Sequence, residues 1–325
     1  MVRYGEAMID DHAWPETVNA VEVALRERLA RDEATAGTIA PVLRHLIAHD
    51  DNSIFSDEIV ARVRGMVGDI AWQLIDRQSI DRQPIDGPSD RRDEAAEASA
   101  LSAAIAANQA FLCHIHALAL EWQLTERLQA RLGLDPVLPP LLQALIESTD
   151  PAIAESAMQL LASQARFGQA QRRMTLSLAE LPGDLLHAAL IAMRTLAGPE
   201  ADARAVAAEA SIRADFDESR SRLGLISRLV TGMGAGSVAA LSVGHAGVAI
   251  FLTALAAASG QDRDLVALST NEAQLARFAI ALRAAGLKLS AIEEQFFAIH
   301  PDIALPDGFD RLDVERAAAL LGRAS

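Results

Sequence analysis

Between Leu229 and Gln261 no residue carries a formal charge. The heart of this tract reads MGAGSVAALSVGHAGVAIFLTALAAASG, Met233 to Gly260. A run of this length has three physical uses: a membrane span, the core of a water-soluble fold, or a glycine-rich ligand loop. Length alone allows the first. Composition opposes it. Glycines at 232, 234, 236, 244, 247 and 260 interrupt the run, and Ser242 and His245 stand near its middle. Breaks at Ser237 and at Ser242–His245 leave a short helix near Ser237–Leu241 and a longer one from about His245 to Ala258. At about 1.5 Å per residue the longer one covers about 20 Å, short of a hydrocarbon core of roughly 30 Å. It is apolar nearly all round, as a central buried helix is. The tract is therefore read as protein core. The loop reading finds no strand before Gly232, Gly234 and Gly236, and no Gly-Lys-Ser/Thr. The only lysine, Lys288, lies elsewhere.

The rest of the chain reads as helix. Its 325 residues are 51% hydrophobic but only 4% aromatic, and alanine and leucine dominate. Strand-type runs are scarce and no period-two alternation is sustained. The expected fold class is all-α: stacked helical hairpins, a HEAT-like bundle or short solenoid, with no significant sheet. Asp150-Pro151 places a capping carboxylate before a proline at the first helical position. Ser290-Ala-Ile-Glu293 fits a capping box. Ser56-Asp-Glu, Thr270 and Asp310 are read as further helix starts, and Gly133 and Gly286 as left-handed stops.

Four segments are expected. Residues 1–75 form an N-terminal helical unit. Residues 76–99, DRQSIDRQPIDGPSDRRDEAAEAS, are polar and proline-bearing and are read as a flexible acidic linker or loop. Residues 100–228 form a second helical unit, and residues 229–325 a C-terminal unit holding the buried apolar helix. The second unit looks like a duplication of the first. Glu22–Leu29 aligns with Glu121–Leu128, and Pro41–Ile47 with Pro140–Ile146, at one offset and without a gap. Each copy would be a helix, a proline-started second helix, a capped turn and a third helix, units that bury their apolar faces by stacking. PPLLQALIESTDPAIAESAMQLLASQARFG has the pattern of a HEAT-like hairpin, with Leu142, Leu145 and Ile146 on one face and Ile153, Ala157, Leu160 and Leu161 on the other. A further pair of helices is read around a turn at Gly198-Pro199.

The run from Leu229 through Gly286 resembles the C-terminal region of a family of uncharacterised, mostly alphaproteobacterial helical proteins. The residues carrying the likeness are Ala254-Leu255-Ala256 with Gly260, then Arg277, Ala281-Leu282 and Ala285-Gly286-Leu287. The chain departs from the family pattern at Gly244-His245 and Ile250-Phe251. The resemblance implies a soluble, all-helical, HEAT-like protein and carries over no active site.

Charge excludes some partners. The formal net charge is −15 and no cluster of basic residues forms a patch, which argues against nucleic acid and against an anionic membrane surface. The near-absence of lysine reads as codon bias of a GC-rich bacterial genome. Cys113 is the single cysteine, so no intrachain disulfide forms. The acidic N-terminus lacks the apolar core of a secretory signal, and a cytoplasmic location is expected.

No catalytic or cofactor-binding residue is nominated, and no cofactor is expected. The metal candidates are Cys113, His114 and His116, and the i, i+4 pair His45 and His49. On one helix Cys113 and His116 share a face while His114 points roughly 100° away, so the three do not converge on one ion. His45 and His49 lack the glutamate of a zincin, since Leu46 takes its place. The acidic pairs Asp10-Asp11, Asp50-Asp51 and Glu293-Glu294 read as solvated helix ends or faces. The leading reading is a non-catalytic protein-binding or scaffold module, offering an apolar strip with an acidic rim to a partner helix or peptide. A homo-oligomer fits the Ala/Leu-rich faces. The competing readings are a helical enzyme or metal protein built from distant histidines, such as His114 or His116 facing His245, and a membrane-associated protein using residues 229–261.

Overall fold

In the computed structural model, residues 18–48, 57–79, 88–197, 202–305 and 308–322 are described. They form helices and connecting turns, with no strand among the described residues. The α-helices are α1 (Val18–Ala48), α2 (Asp57–Ser79), α3 (Pro88–Ala106), α4 (Gln109–Leu132), α5 (Pro140–Ile146), α6 (Pro151–Arg172) and α7 (Gly183–Leu196). They continue as α8 (Asp202–Asp215), α9 (Arg222–Gly232), α10 (Val243–Ser259), α11 (Arg263–Leu268), α12 (Leu275–Ala284), α13 (Leu289–Ile299) and α14 (Val314–Gly322). The all-α class is as expected.

The chain divides into two compact units: Gly37–Ala254, and the helix as far as Ala36 together with residues from Leu255 onward. The boundaries at 75 and 228 expected from the sequence are not where the contacts divide. In the larger unit α2 packs on α3, α3 on α7, α7 on α8 and α8 back on α2, so that four helices close a ring. Helix α4 lies against α2 and α3, and α6 joins α5 to α9. Met66, Ile70 and Leu74 of α2 and Leu101 of α3 are fully buried. In the smaller unit α12 is the centre, packed on α11, α13 and α14. Its Phe278 stacks on Phe296 at 6.0 Å, with His300 against both rings.

Several local signals act as read. Gly133 ends α4 at φ 66°, while its start is capped by Asn108, which the sequence reading did not single out and which accepts the Phe111 N–H. Asp150 accepts the Ala152 N–H ahead of Pro151. Gly286 turns left-handed at φ 85°. Three other starts are corrected. Helix α13 begins at Leu289, directly after the Gly286 turn, so Ser290 lies inside the first turn rather than capping it. Thr270 donates its hydroxyl back to the Ala267 carbonyl and closes α11; α12 starts only after a 3-10 turn at Glu272–Gln274. Asp310 sits in a 3-10 turn, and Asp313 holds the start of α14 by accepting the Arg316 N–H. Ser56 and the Gly198-Pro199 turn lie outside the described residues.

The linker of residues 76–99 is also corrected. Helix α2 runs on to Ser79 and α3 starts at Pro88, with Ala98 buried. Residues 88–99 are rich in alanine and glutamate, good helix formers, and α3 extends into Leu101 and Ile105, whose buried side chains anchor it. The two copies of the sequence repeat differ as well. The second breaks at Gly133 and restarts at Pro140, whereas the first continues through Pro41 as one helix. The first copy has Ala34 where the second has Gly133, so nothing there favours a left-handed stop.

The uncharged tract folds as α9, an eight-residue 3-10 segment (Gly234–Leu241) and α10. From Val248 to Ala256 the side chains of α10 are buried, as read from the sequence. Gly247 breaks the helix at φ 73°, ψ 163°, a region open essentially to glycine, and the Pro139 ring lies within 2.9 Å of where a Cβ would stand. Among the described residues no single helix is long and apolar enough to cross a membrane. Two helix pairs reach the length only together, bent by 94° and 119°.

Candidate functional site

The sequence-nominated ligands do not assemble. His114 and His116 are buried on α4 and Cys113 is half-buried beside them. Burial pushes His116 down to about 4, so it is neutral near pH 7. His45 is exposed at the end of α1, and His49 lies outside the described residues. His187 is exposed and lies 2.6 Å from an Arg213 nitrogen, while His300 belongs to the aromatic cluster of the smaller unit. Among the described residues no three His, Cys, Asp or Glu side chains come together as metal ligands. Glu293 and Glu294 are exposed; the other two acidic pairs lie outside the described residues.

What the larger unit brings together instead is a buried ion pair. Arg222, the first residue of α9, donates to both carboxylate oxygens of Glu121 on α4, at 2.6 and 3.3 Å, and both side chains are about 1% exposed. Its guanidinium also lies 3.6 Å over the Phe167 ring of α6 and 3.4 Å from the Gln164 oxygen. The Arg222 backbone N–H donates to Glu180, which also accepts from Ser163. One carboxylate to neutralise it, with an amide oxygen and a ring face beside it, is what a fully buried guanidinium requires. A second set does similar work nearby. Asp69 and Gln73 of α2 bond the backbone of Leu176 and Leu178, fixing the extended chain between α6 and the 3-10 turn at Leu178–Glu180. Buried Arg62 donates to the Gln171 carbonyl and pairs with Glu58 at 2.8 Å.

These bonds shape a groove of about 360 Å³. Its apolar lining is Phe167 and Ala170 of α6, Leu176 of the extended chain and the exposed Ala179 of the 3-10 turn. Its rim is charged, with Arg166 and Arg220 alongside Glu180, Asp215 and Asp217. Asp215 is paired with Arg77 at 3.1 Å. Hydrogen bonds from Ser219 hold Asp217 below the usual carboxylate range. The volume falls at the lower end of ligand and peptide sites. A separate cavity of about 20 Å³, beside Gly247, Pro139 and Gln164, has room for about one water.

The groove escaped the sequence reading because its walls come from α6, the chain after it, the end of α8 and the turn before α9. One signal for the ion pair was present. Glu121 is a lone carboxylate inside the apolar run HALALEWQL, where a charge must find a partner. Comparison with protein families, with curated proteins and with solved structures finds no match to this chain.

Proposed function

We propose that the chain is a non-catalytic protein-binding module of a bacterial cytoplasm and that the groove beside Phe167 is its docking site. The observation that carries this reading is the groove itself, an apolar floor within a charged rim, beside buried polar groups that are already engaged in holding the fold. Arg222, Glu121, Arg62, Asp69 and Gln73 all bond within the chain, so among the described residues these groups are held in structural contacts rather than offered for acid–base or nucleophilic work. The net charge of −15 supports a protein partner over nucleic acid. The hairpin α5–α6, the pattern of a HEAT-like unit, and the family resemblance of residues 229–287 agree with a module of this kind.

The test is affinity capture with the full chain and with Ala179→Trp, which fills the groove from an exposed position. A partner identified with the wild type should be lost with the variant while circular dichroism and melting stay unchanged. Equal capture by both proteins overturns the groove as the docking site.

A further inference from the structure

We infer that Gly234–Leu241 is a two-state strap: its buried ends hold it long, as a 3-10 helix, and it rewinds as a shorter α-helix when an end is released. A 3-10 helix seldom runs beyond roughly three or four residues, because its i→i+3 hydrogen bonds are poorer than those of an α-helix. This segment has eight. Its first residue, Gly234, is left-handed at φ 52° and turns the chain away from α9, so that the two axes meet at 119°. The other seven residues, 235–241, include three alanines and a leucine, all good α-helix formers. Local preference therefore does not choose the 3-10 form.

Nor does packing along its length. Ala235, Gly236, Val238 and Ala239 are exposed, Val238 at 69%. A Cβ added at Gly234 would meet nothing within 4 Å, and one at Gly236 only the Met233 Cβ, at 3.9 Å. Packing holds the two ends instead. Leu225, Ile226, Leu229 and Val230 bury α9 before the segment, and Ala240, Leu241 and Val243 are buried at its far end. The distance between those anchors is what the chain must span. Seven residues cover about 14 Å as a 3-10 helix and about 10.5 Å as an α-helix, so the α form falls short by about 3.5 Å. When Ala240 and Leu241 leave their packing, that requirement goes. The segment then gains i→i+4 bonds, shortens, and turns Val238 onto a different face, by about 20° for each residue before it.

The test changes the length and leaves the anchors alone. Two alanines inserted after the exposed Ala235 give nine residues in place of seven. As an α-helix nine residues cover about 13.5 Å and turn through about 900°, against about 14 Å and about 840° for seven in the 3-10 form. Both ends therefore keep their places. The readout is the NOE pattern of the ¹³C,¹⁵N-labelled full chain, from the Hα of residue i to the amide of i+2 in a 3-10 helix and to that of i+4 in an α-helix. The wild type should show the first pattern over 235–241 and the insertion variant the second, with the amides of Leu225 and Ile226 in α9 and of Phe251 and Leu252 in α10 unshifted. Gly236→Ala raises α-helix propensity without changing the length and should keep the first pattern. The i+4 pattern in the wild type or in Gly236→Ala overturns the inference, since local preference would then decide. So does a wild type with neither pattern, or an insertion variant that keeps the i+2 pattern, shows neither, or fails to fold.

Discussion

Glu121 and Arg222 show why a buried charge on a helix is a long-range instruction. Each is nearly inaccessible, and each is tolerable only because the other is there. Removing one partner strands the other in a low-dielectric interior, which costs about 3–5 kcal/mol. Glu121→Leu should destabilise the chain by about that much in urea unfolding. Glu121→Leu combined with Arg222→Met should recover most of the loss, because a buried pair contributes little beyond an apolar pair of similar volume. If the double variant is as unstable as the sum of the singles, the pair is not acting through mutual neutralisation. The signal for this contact was half legible. A carboxylate in an apolar run announces that it needs a partner, but nothing near Arg222 in the sequence says which of 29 basic residues will supply it.

At the scale of elements, capping signals separate by whether the side chain reaches an orphan N–H. Asp262 caps α11 by accepting from Asp264 and Leu265. Asp262→Ala should cost about 1 kcal/mol, whereas Ser290→Ala should stay within about 0.5 kcal/mol, because α13 begins before Ser290. Both belong to the smaller unit, so one urea titration monitored there compares them. Helix α3 makes a sharper case. Removing residues 76–99 takes away the end of α2 and the first half of α3, including the buried Ala98, and so opens the four-helix ring. The deletion should abolish cooperative unfolding, where a true linker would leave it unchanged. Composition suggested a linker because the apolar anchors of α3, Leu101 and Ile105, lie beyond the polar stretch they stabilise. Propensity along a short window cannot register an anchor a turn or more downstream.

For the whole molecule, buried His116 and half-buried Asp32 give opposite dependence on pH. His116 in the larger unit titrates at about 4 folded, against an ordinary value of 6.5, because burial disfavours its charge. The unfolded chain takes up that proton first, so this contribution is complete above 6.5 and is lost as pH falls towards 4. Between about pH 7.5 and about pH 5 the loss is on the order of 2 kcal/mol. Asp32 in the smaller unit is pushed up to about 6 by burial, partly offset by its hydrogen bond from the Arg277 backbone and by the charge of Arg277. There the folded state binds the extra proton, so stability rises as pH falls from about 6 towards 3.8. His116→Leu should flatten the acid loss, and Asp32→Asn should remove the acid gain. Unfolding free energies measured across this range for both variants check the two signs. Taken alone, the sequence determined that the chain is helical, that α10 is buried, and where Asp150, Gly133 and Gly286 start or stop helices. Those outcomes rest on hydrogen bonds and apolar spacing within a few residues. Only the tertiary structure decided that α2, α3, α7 and α8 close a ring, that the first repeat runs straight through Pro41, and that Glu121 meets Arg222 across 101 positions. Each of those is a choice among many pairings of similar local quality, settled by which arrangement buries the apolar faces while pairing the buried charges of Glu121 and Arg222.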